Sequence, residues 1–276
     1  VEGADGEQDT IKYVQNEGLD NYSFDELKYK VTLGEETSKA TVKINIHKNA
    51  YASRVIDFLP APGQFTNQLS KSNSAEGTLG TKGGTLSLGS FGGYVIYGFD
   101  QPIMNNPKNP YGVDFTIKGN SFVANIYGVW TEPGAVQVCQ DLNGNGVPDP
   151  EEPWYELAGS DYWLSTTKRY TVPWTLKYTD KDGKEQMEAG AVLTNQFHQQ
   201  SYYPDPFDFG CDRDSVTFEG AIIRSSLDMS APSYIEFYRA PAFGYCDNRG
   251  YNKTDLTIAQ NPYYNDENGN AADSFD

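Results

Sequence analysis

Residues 141–152 read Asp141-Leu-Asn-Gly-Asn-Gly-Val-Pro-Asp-Pro-Glu-Glu152. Oxygen-bearing side chains fall at loop positions 1, 3, 5 and 9, as Asp141, Asn143, Asn145 and Asp149. Gly146 stands at position 6, Val147 at position 7 and Glu152 at position 12. Ca²⁺ is a hard cation that takes about six to eight oxygens, and alternate residues of a tightly curled loop can aim theirs at one point. A backbone carbonyl at position 7, glycine at position 6 and a carboxylate at position 12 complete the pattern. The metal set expected from the spacing is Asp141, Asn143, Asn145, Val147, Asp149 and Glu152, with Glu151 as the other candidate for the closing carboxylate. The competing reading is an Asn/Gly/Pro/Asp-rich turn with no ion. The flanks are not those of a helical EF-hand. Ala135–Gln140 alternates like a strand, and Pro153 leads into Trp154-Tyr-Glu-Leu157, again strand-like.

The elements that must position this loop are strands. The chain has 276 residues, 14% aromatics including 20 Tyr, and 27 Gly with 15 Pro. Aromatic-rich segments joined by Gly/Pro/Asn/Asp turns point to an all-β fold. No stretch has the period of an amphipathic helix of three turns. The expected strands are 28–33, 40–47, 53–59, 84–89, 93–99, 113–118, 135–140, 154–157, 170–178, 216–223 and 234–238. Gly34–Lys39 is expected as a hairpin loop, with Val42, Ile44 and Ile46 on the covered face of the second strand. Gln64–Lys82 is polar and is expected as a long surface loop. Pro173 inside 170–178 predicts an edge strand or a bulge. Short strands of even spacing predict a β-sandwich of jelly-roll type with an inserted calcium-binding loop. The expected division is a tether and hairpin over 1–49 and a calcium-stabilised sandwich over 50–276. The polar, acidic start reads as a solvated tether left after removal of a leader, although a cytosolic protein could begin the same way.

Several chemistries lack their residues. The net charge of −17 argues against nucleic-acid partners, which need a basic face. The only histidines, His47 and His198, make no zinc cluster with the three cysteines. No G-x-S-x-G elbow is present. Cys139 reads as a small core residue, whereas Cys211 and Cys246 could pair in an oxidising compartment. With 38 acidic residues, any two carboxylates chosen as a glycosidase pair carry little weight. Loop aromatics carry more. Tyr202, Tyr203 and Phe207, in the run Tyr202-Tyr-Pro-Asp-Pro-Phe207, together with Trp163, are the candidate platform for a sugar ring or another flat ligand. Asn265–Asn270 with Asp273 is a second possible ion loop, for which a plain Asn-Gly turn is the favoured reading.

Four segments carry a family resemblance. They are Val55–Phe65, Gly93–Asp100, Glu132–Val138, and Asp141–Asp149 running into Trp154–Ser160. Over residues 50–276 the chain resembles secreted cell surface proteins of gut Bacteroidetes, often preceded by PKD or Ig-like modules. The resemblance implies a non-catalytic protein on the outer face of the outer membrane, held by a lipid anchor outside this chain. It implies a glycan or a corrinoid as ligand and an outer-membrane receptor as a possible partner. Two departures stand out. Relatives pass from the second Asp directly into Glu-Trp-Tyr, whereas Pro150-Glu-Glu-Pro153 intervenes here. Relatives also continue beyond Asp273-Ser-Phe-Asp276 with strand sequence. The function expected is calcium-dependent ligand binding or adhesion. A glycan hydrolase with paired carboxylates and an inert spacer are the alternatives.

Overall fold

The structure is a computed structural model and describes residues 24–34, 36–45, 51–63, 65–105, 112–123, 129–189, 205–212, 214–223, 241–248 and 273–275. The expected strand 234–238, the loop 265–270, Tyr202, Tyr203 and both histidines lie outside the described residues. The chain divides into two compact units, 1–50 and 51–276.

In the first unit, β1 (Phe24–Leu33) pairs antiparallel with β2 (Glu36–Asn45), from Phe24↔Asn45 to Leu33↔Glu36. The turn is tighter than the expected six-residue loop. Gly34 takes φ +60°, which only glycine adopts cheaply, and pairing resumes at Glu36. On the expected covered face only Val42 has a described side chain; those of Ile44 and Ile46 lie outside what the structure describes. Val31 and Val42 are both exposed.

The second unit is β-rich with almost no helix. Its strands are β3 (Arg54–Leu59), β4 (Tyr94–Gly98), β5 (Phe115–Ile117), β6 (Phe122–Val123), β7 (Val129–Trp130), β8 (Gly134–Ala135) and β9 (Gln137–Cys139). They continue with β10 (Trp154–Glu156), β11 (Thr166–Thr179), β12 (Glu185–Ala189), β13 (Ser215–Ile222), β14 (Tyr245–Cys246) and β15 (Asp273–Phe275). Among the described residues the pairings are antiparallel: β3–β4, β5–β15, β6–β7, β8–β14, β9–β10, and the triple order β12-β11-β13. Two of these join segments far apart in the chain. Phe275 lies opposite Phe115, with the rings stacked at 4.9 Å, and Tyr245 lies opposite Ala135.

The core sits on β11 and β13. Tyr170, Val172 and Trp174 alternate inward along β11, as the two-residue period of a strand requires. They meet Phe218 of β13 and Ala61, with Tyr170 stacked on Phe218 at 5.4 Å. Phe91 closes edge-on against Tyr170 at 5.0 Å. Pro173 explains itself here. The pairing of β11 with β13 ends at Pro173↔Ser215, and the pairing with β12 begins at Trp174↔Ala189. The strand is central in order, yet Pro173 sits at the handover between partners. Trp174 resumes donation there, to Asp214 O at 2.8 Å. The expected bulge lies further on, between Leu176 and Tyr178.

Two expectations fail around residues 64–89. Part of the supposed surface loop is interior: α1 (Thr66–Leu69) and a 3₁₀ turn at Ala75–Thr78 bury Thr66, Ser70, Ala75 and Leu79. The polar members are satisfied internally, Thr66 Oγ1 donating to Gly63 O at 3.0 Å and Ser70 Oγ donating to Ser87 O. Residues 84–89 form no strand. Gly89, at φ +76°, lies so close to Ala61 O that no side chain fits there. The cysteines are also corrected: Cys139, Cys211 and Cys246 are free thiols. Cys246 is held in the β8–β14 pair, while Cys211 closes a separate turn by donating its N–H to Pro206 O at 3.1 Å.

Phe218 is 1% exposed at the centre of this cluster. Phe218→Ala is expected to lower the unfolding free energy by about 3–5 kcal/mol through lost burial and the cavity left behind. The loss is read from the urea midpoint at unchanged slope. A loss below about 1 kcal/mol would remove Phe218 from the centre of the core.

Candidate metal centre

The segment 141–152 joins β9 to β10, whose pairing closes at Trp154↔Cys139. Gln140 N–H donates to Pro153 O at 3.1 Å, directly beneath the loop. The loop is therefore carried on a short strand pair, as its flanks predict.

Within it, carboxylates and carboxamides organise the backbone. Asp141 Oδ1 accepts from Gly144 N–H and Oδ2 from Gly146 N–H, both at 2.7 Å. Gly144 and Gly146 have φ of +74° and +76°, and these left-handed turns bring both N–H groups round to one carboxylate. Asn143 Oδ1 accepts from Asn145 N–H at 2.9 Å, and Asn145 Oδ1 from Val147 N–H at 2.8 Å, forming successive Asx turns. The two amide nitrogens then converge. Asn143 Nδ2 and Asn145 Nδ2 donate to the same atom, Asp149 Oδ2, at 2.6 and 2.8 Å. Among the described residues no donor reaches the Val147 carbonyl.

The two candidates for the twelfth position differ in burial. Glu152 is 7% exposed and Glu151 is exposed. Glu152 Oε1 accepts from Leu142 N–H at 2.7 Å and Oε2 from Asp149 N–H at 3.0 Å. It clasps the two ends of the loop through backbone donors. Gly146 O in turn accepts from Arg54 Nη2, and Arg54 Nη1 donates to Phe99 O at 2.9 Å. Arg54, at the start of β3, thus ties the loop to the β3–β4 pair. The sequence reading missed it. Its one signal is Gly98, directly opposite, where a Cβ would stand 2.6 Å from Arg54 Nε.

The field is negative. The Gly146 N–H foremost, with the Gly144 N–H, holds the Asp141 carboxyl below the ordinary aspartate value. Desolvation, then the charges of Glu152, Asp141 and Asp149, pushes the Cys139 thiol up. Among the described residues no group of three His, Cys, Asp or Glu side chains could hold a metal unaided. A cation here must therefore draw on the Asn carbonyls and the backbone as well. The loop at Asp180 is a useful contrast. Asp180 Oδ1 accepts from the Asp182 and Lys184 N–H groups at 3.0 and 2.9 Å, and Gln186 Nε2 donates to Oδ2 at 3.1 Å. No further carboxylate joins those bonds, so Asp180 organises a hairpin turn alone.

Of the expected aromatic platform, Trp163 and Phe207 are among the described residues. Trp163 is 89% exposed, with Tyr162 edge-on at 5.0 Å. Phe207 is 42% exposed and lies under Lys184 Nζ, 5.8 Å from the ring centre.

Two outcomes follow for metal-free protein. Glu152→Gln leaves one of two backbone donors unanswered and should cost about 1–3 kcal/mol, whereas Glu151→Gln should fall within about 0.5 kcal/mol. Equal effects in urea melts would refute the clasp. For Asp141, a folded value below the unfolded one means that its stabilisation is complete above the ordinary value of 3.8 and is lost as pH falls through the lower folded value. The amide shifts of Gly144 and Gly146 should therefore titrate with a midpoint below 3.8; a midpoint at or above it would break the assignment. No protein-family model matches the chain, and no curated protein matches it.

Proposed function

We propose that this chain is a calcium-stabilised, non-catalytic binding or adhesion protein of the outer cell surface, held there by a lipid anchor outside the chain. The observation that carries the reading is the convergence of Asp141, Asn143, Asn145, Asp149 and Glu152 within one strand-borne loop. The donor set suits Ca²⁺: three carboxylates, two carboxamide oxygens and the Val147 carbonyl are all hard oxygens. Two inward amide N–H groups supply the positive edge that Asp149 needs without a metal. Ca²⁺ would take over that role. The carboxylate oxygens that organise the loop are committed to its own N–H groups, which suits a structural ion better than a pair of catalytic acids.

We read the β-rich unit as a sandwich of jelly-roll type. The support is its wholly antiparallel pairing and the return of β14 and β15 to β8 and β5 over long stretches of chain. The ligand would be a glycan or a corrinoid, stacked on exposed rings such as Trp163 and Phe207. An outer-membrane receptor remains the proposed protein partner.

The test has two arms on the purified chain. Chelation should lower the melting temperature and added Ca²⁺ should restore it, because a ligand of the folded state alone stabilises that state. Calorimetric titration with cobalamin and a glycan panel should find one binder, and Trp163→Ala should weaken it by about tenfold or more, equivalent to about 1.4 kcal/mol. An unchanged melt removes the calcium. Silence from every ligand favours a structural spacer.

A further inference from the structure

A second group of oxygens lies outside the 141–152 loop, where four segments meet. These are residues 118–121 after β5, 131–133 before β8, 247–248 after β14, and Asp273 at the head of β15. Asp247, at φ +51°, is the hub. Its Oδ1 accepts from Asn120 N–H at 2.6 Å and Ser121 N–H at 3.0 Å, and its carboxylate also accepts from the Glu132 N–H. Burial nevertheless holds Asp247 above the ordinary aspartate value. Asp273 is buried, and its Oδ2 accepts from Asn248 N–H at 3.0 Å.

Three interior side-chain oxygens on these same segments have no partner among the described residues: Ser121 Oγ, Thr131 Oγ1 and Asn248 Oδ1. Thr131 and Asn248 are fully buried and Ser121 is 3% exposed. Asn248 is the most telling. Its Nδ2 donates to Pro241 O at 2.7 Å, which fixes the amide and leaves Oδ1 as an oriented acceptor without a donor. Such a group retains the cost of leaving water until something positive or protic meets it. Asn120 adds no weight, because turning its amide lets Nδ2 donate to Asp247 Oδ1 at 3.1 Å.

We propose that this junction is a second cation site, taking a hard divalent ion, Ca²⁺ by its chemistry, between Asp247, Asp273 and the unpaired oxygens of Ser121, Thr131 and Asn248. Asp247 and Asp273 would supply charge, and neutral hydroxyl and carbonyl oxygens would fill the remaining positions, hard oxygens that suit Ca²⁺, beside the Cys246 thiol and the Glu132 carboxyl. Neutral donors of this kind do not count toward a His/Cys/Asp/Glu cluster, and none is found there among the described residues. The ion would add to the two short strand pairs, β5–β15 and β8–β14, and to the hydrogen bonds of Asp247 and Asp273 that already join these four segments.

Calcium bound per chain, measured by equilibrium dialysis with elemental analysis, tests this separately from the loop. Wild type should hold about two ions, and the double variant Asp141→Asn/Asp149→Asn should keep about one. Adding Asp247→Asn to that variant should abolish the remainder, with circular dichroism confirming the fold. If that variant does not fold, Thr131→Val in the loop variant should weaken the remaining ion instead. One ion in wild type, kept by the loop variant and lost with Asp247→Asn, would support this site and remove the loop reading. A loop variant that holds no calcium, or an Asp247→Asn change that leaves the count unaltered, overturns the proposal in favour of ordered water at the junction.

Discussion

A carboxylate held by backbone N–H groups is the interaction on which the irregular parts of this chain depend. Acidic residues outnumber basic ones 38 to 21, so side-chain cations cannot answer every carboxylate. Asp141, Glu152, Asp180 and Asp247 each accept from two or more backbone donors instead. Oriented backbone N–H groups supply fixed positive charge without a positively charged side chain. The device works only where the chain curls tightly enough to aim several N–H groups at one point. That requirement places Gly144, Gly146 and Gly183 in left-handed conformations. The abundance of Asp, Asn and Gly is thus one structural fact seen from three sides.

Such a device leaves a remainder. Once the N–H groups are spent, each carboxylate oxygen still has a lone pair, and several carboxylates gathered in one loop repel. In 141–152 the excess is met by two amide groups on one oxygen of Asp149. Around Asp247 the excess lies beside oxygens that nothing meets. Under the two proposals above, a hard cation would replace weak donors in the first arrangement and supply a missing partner in the second.

The strand content was legible from aromatic and β-branched runs between turn residues, and so was a tight Asn/Gly loop between two strands. What could not be read depends on tertiary contact. Thr66 and Ser70 look like surface polar residues, yet carbonyls from residues 63 and 87 satisfy them inside. Pro173 correctly signalled an interruption, but not that β11 would change partners there. Pairings as short as Tyr245–Cys246 with Gly134–Ala135 have no periodicity to detect. Arg54 carries no local sign that it serves a loop more than ninety residues away in sequence.

Arg54 and Glu152 together determine what sort of loop this is. Glu152 closes the loop on itself, and the planar Arg54 fork holds Gly146 O and Phe99 O at once, a geometry that the single ammonium of lysine does not reproduce. These contacts help set the loop's curvature, and the conformational entropy of closing it is spent in folding. Under the calcium proposal, a cation would enter a loop whose ends are clasped by its own hydrogen bonds, so less of its binding free energy would go into ordering the chain. The same logic gives the β9–β10 pair its place. Three residue pairs are too few to hold a long connection in register by themselves, and the loop's own hydrogen bonds, anchored on β3 through Arg54, hold the strands as much as the strands hold the loop.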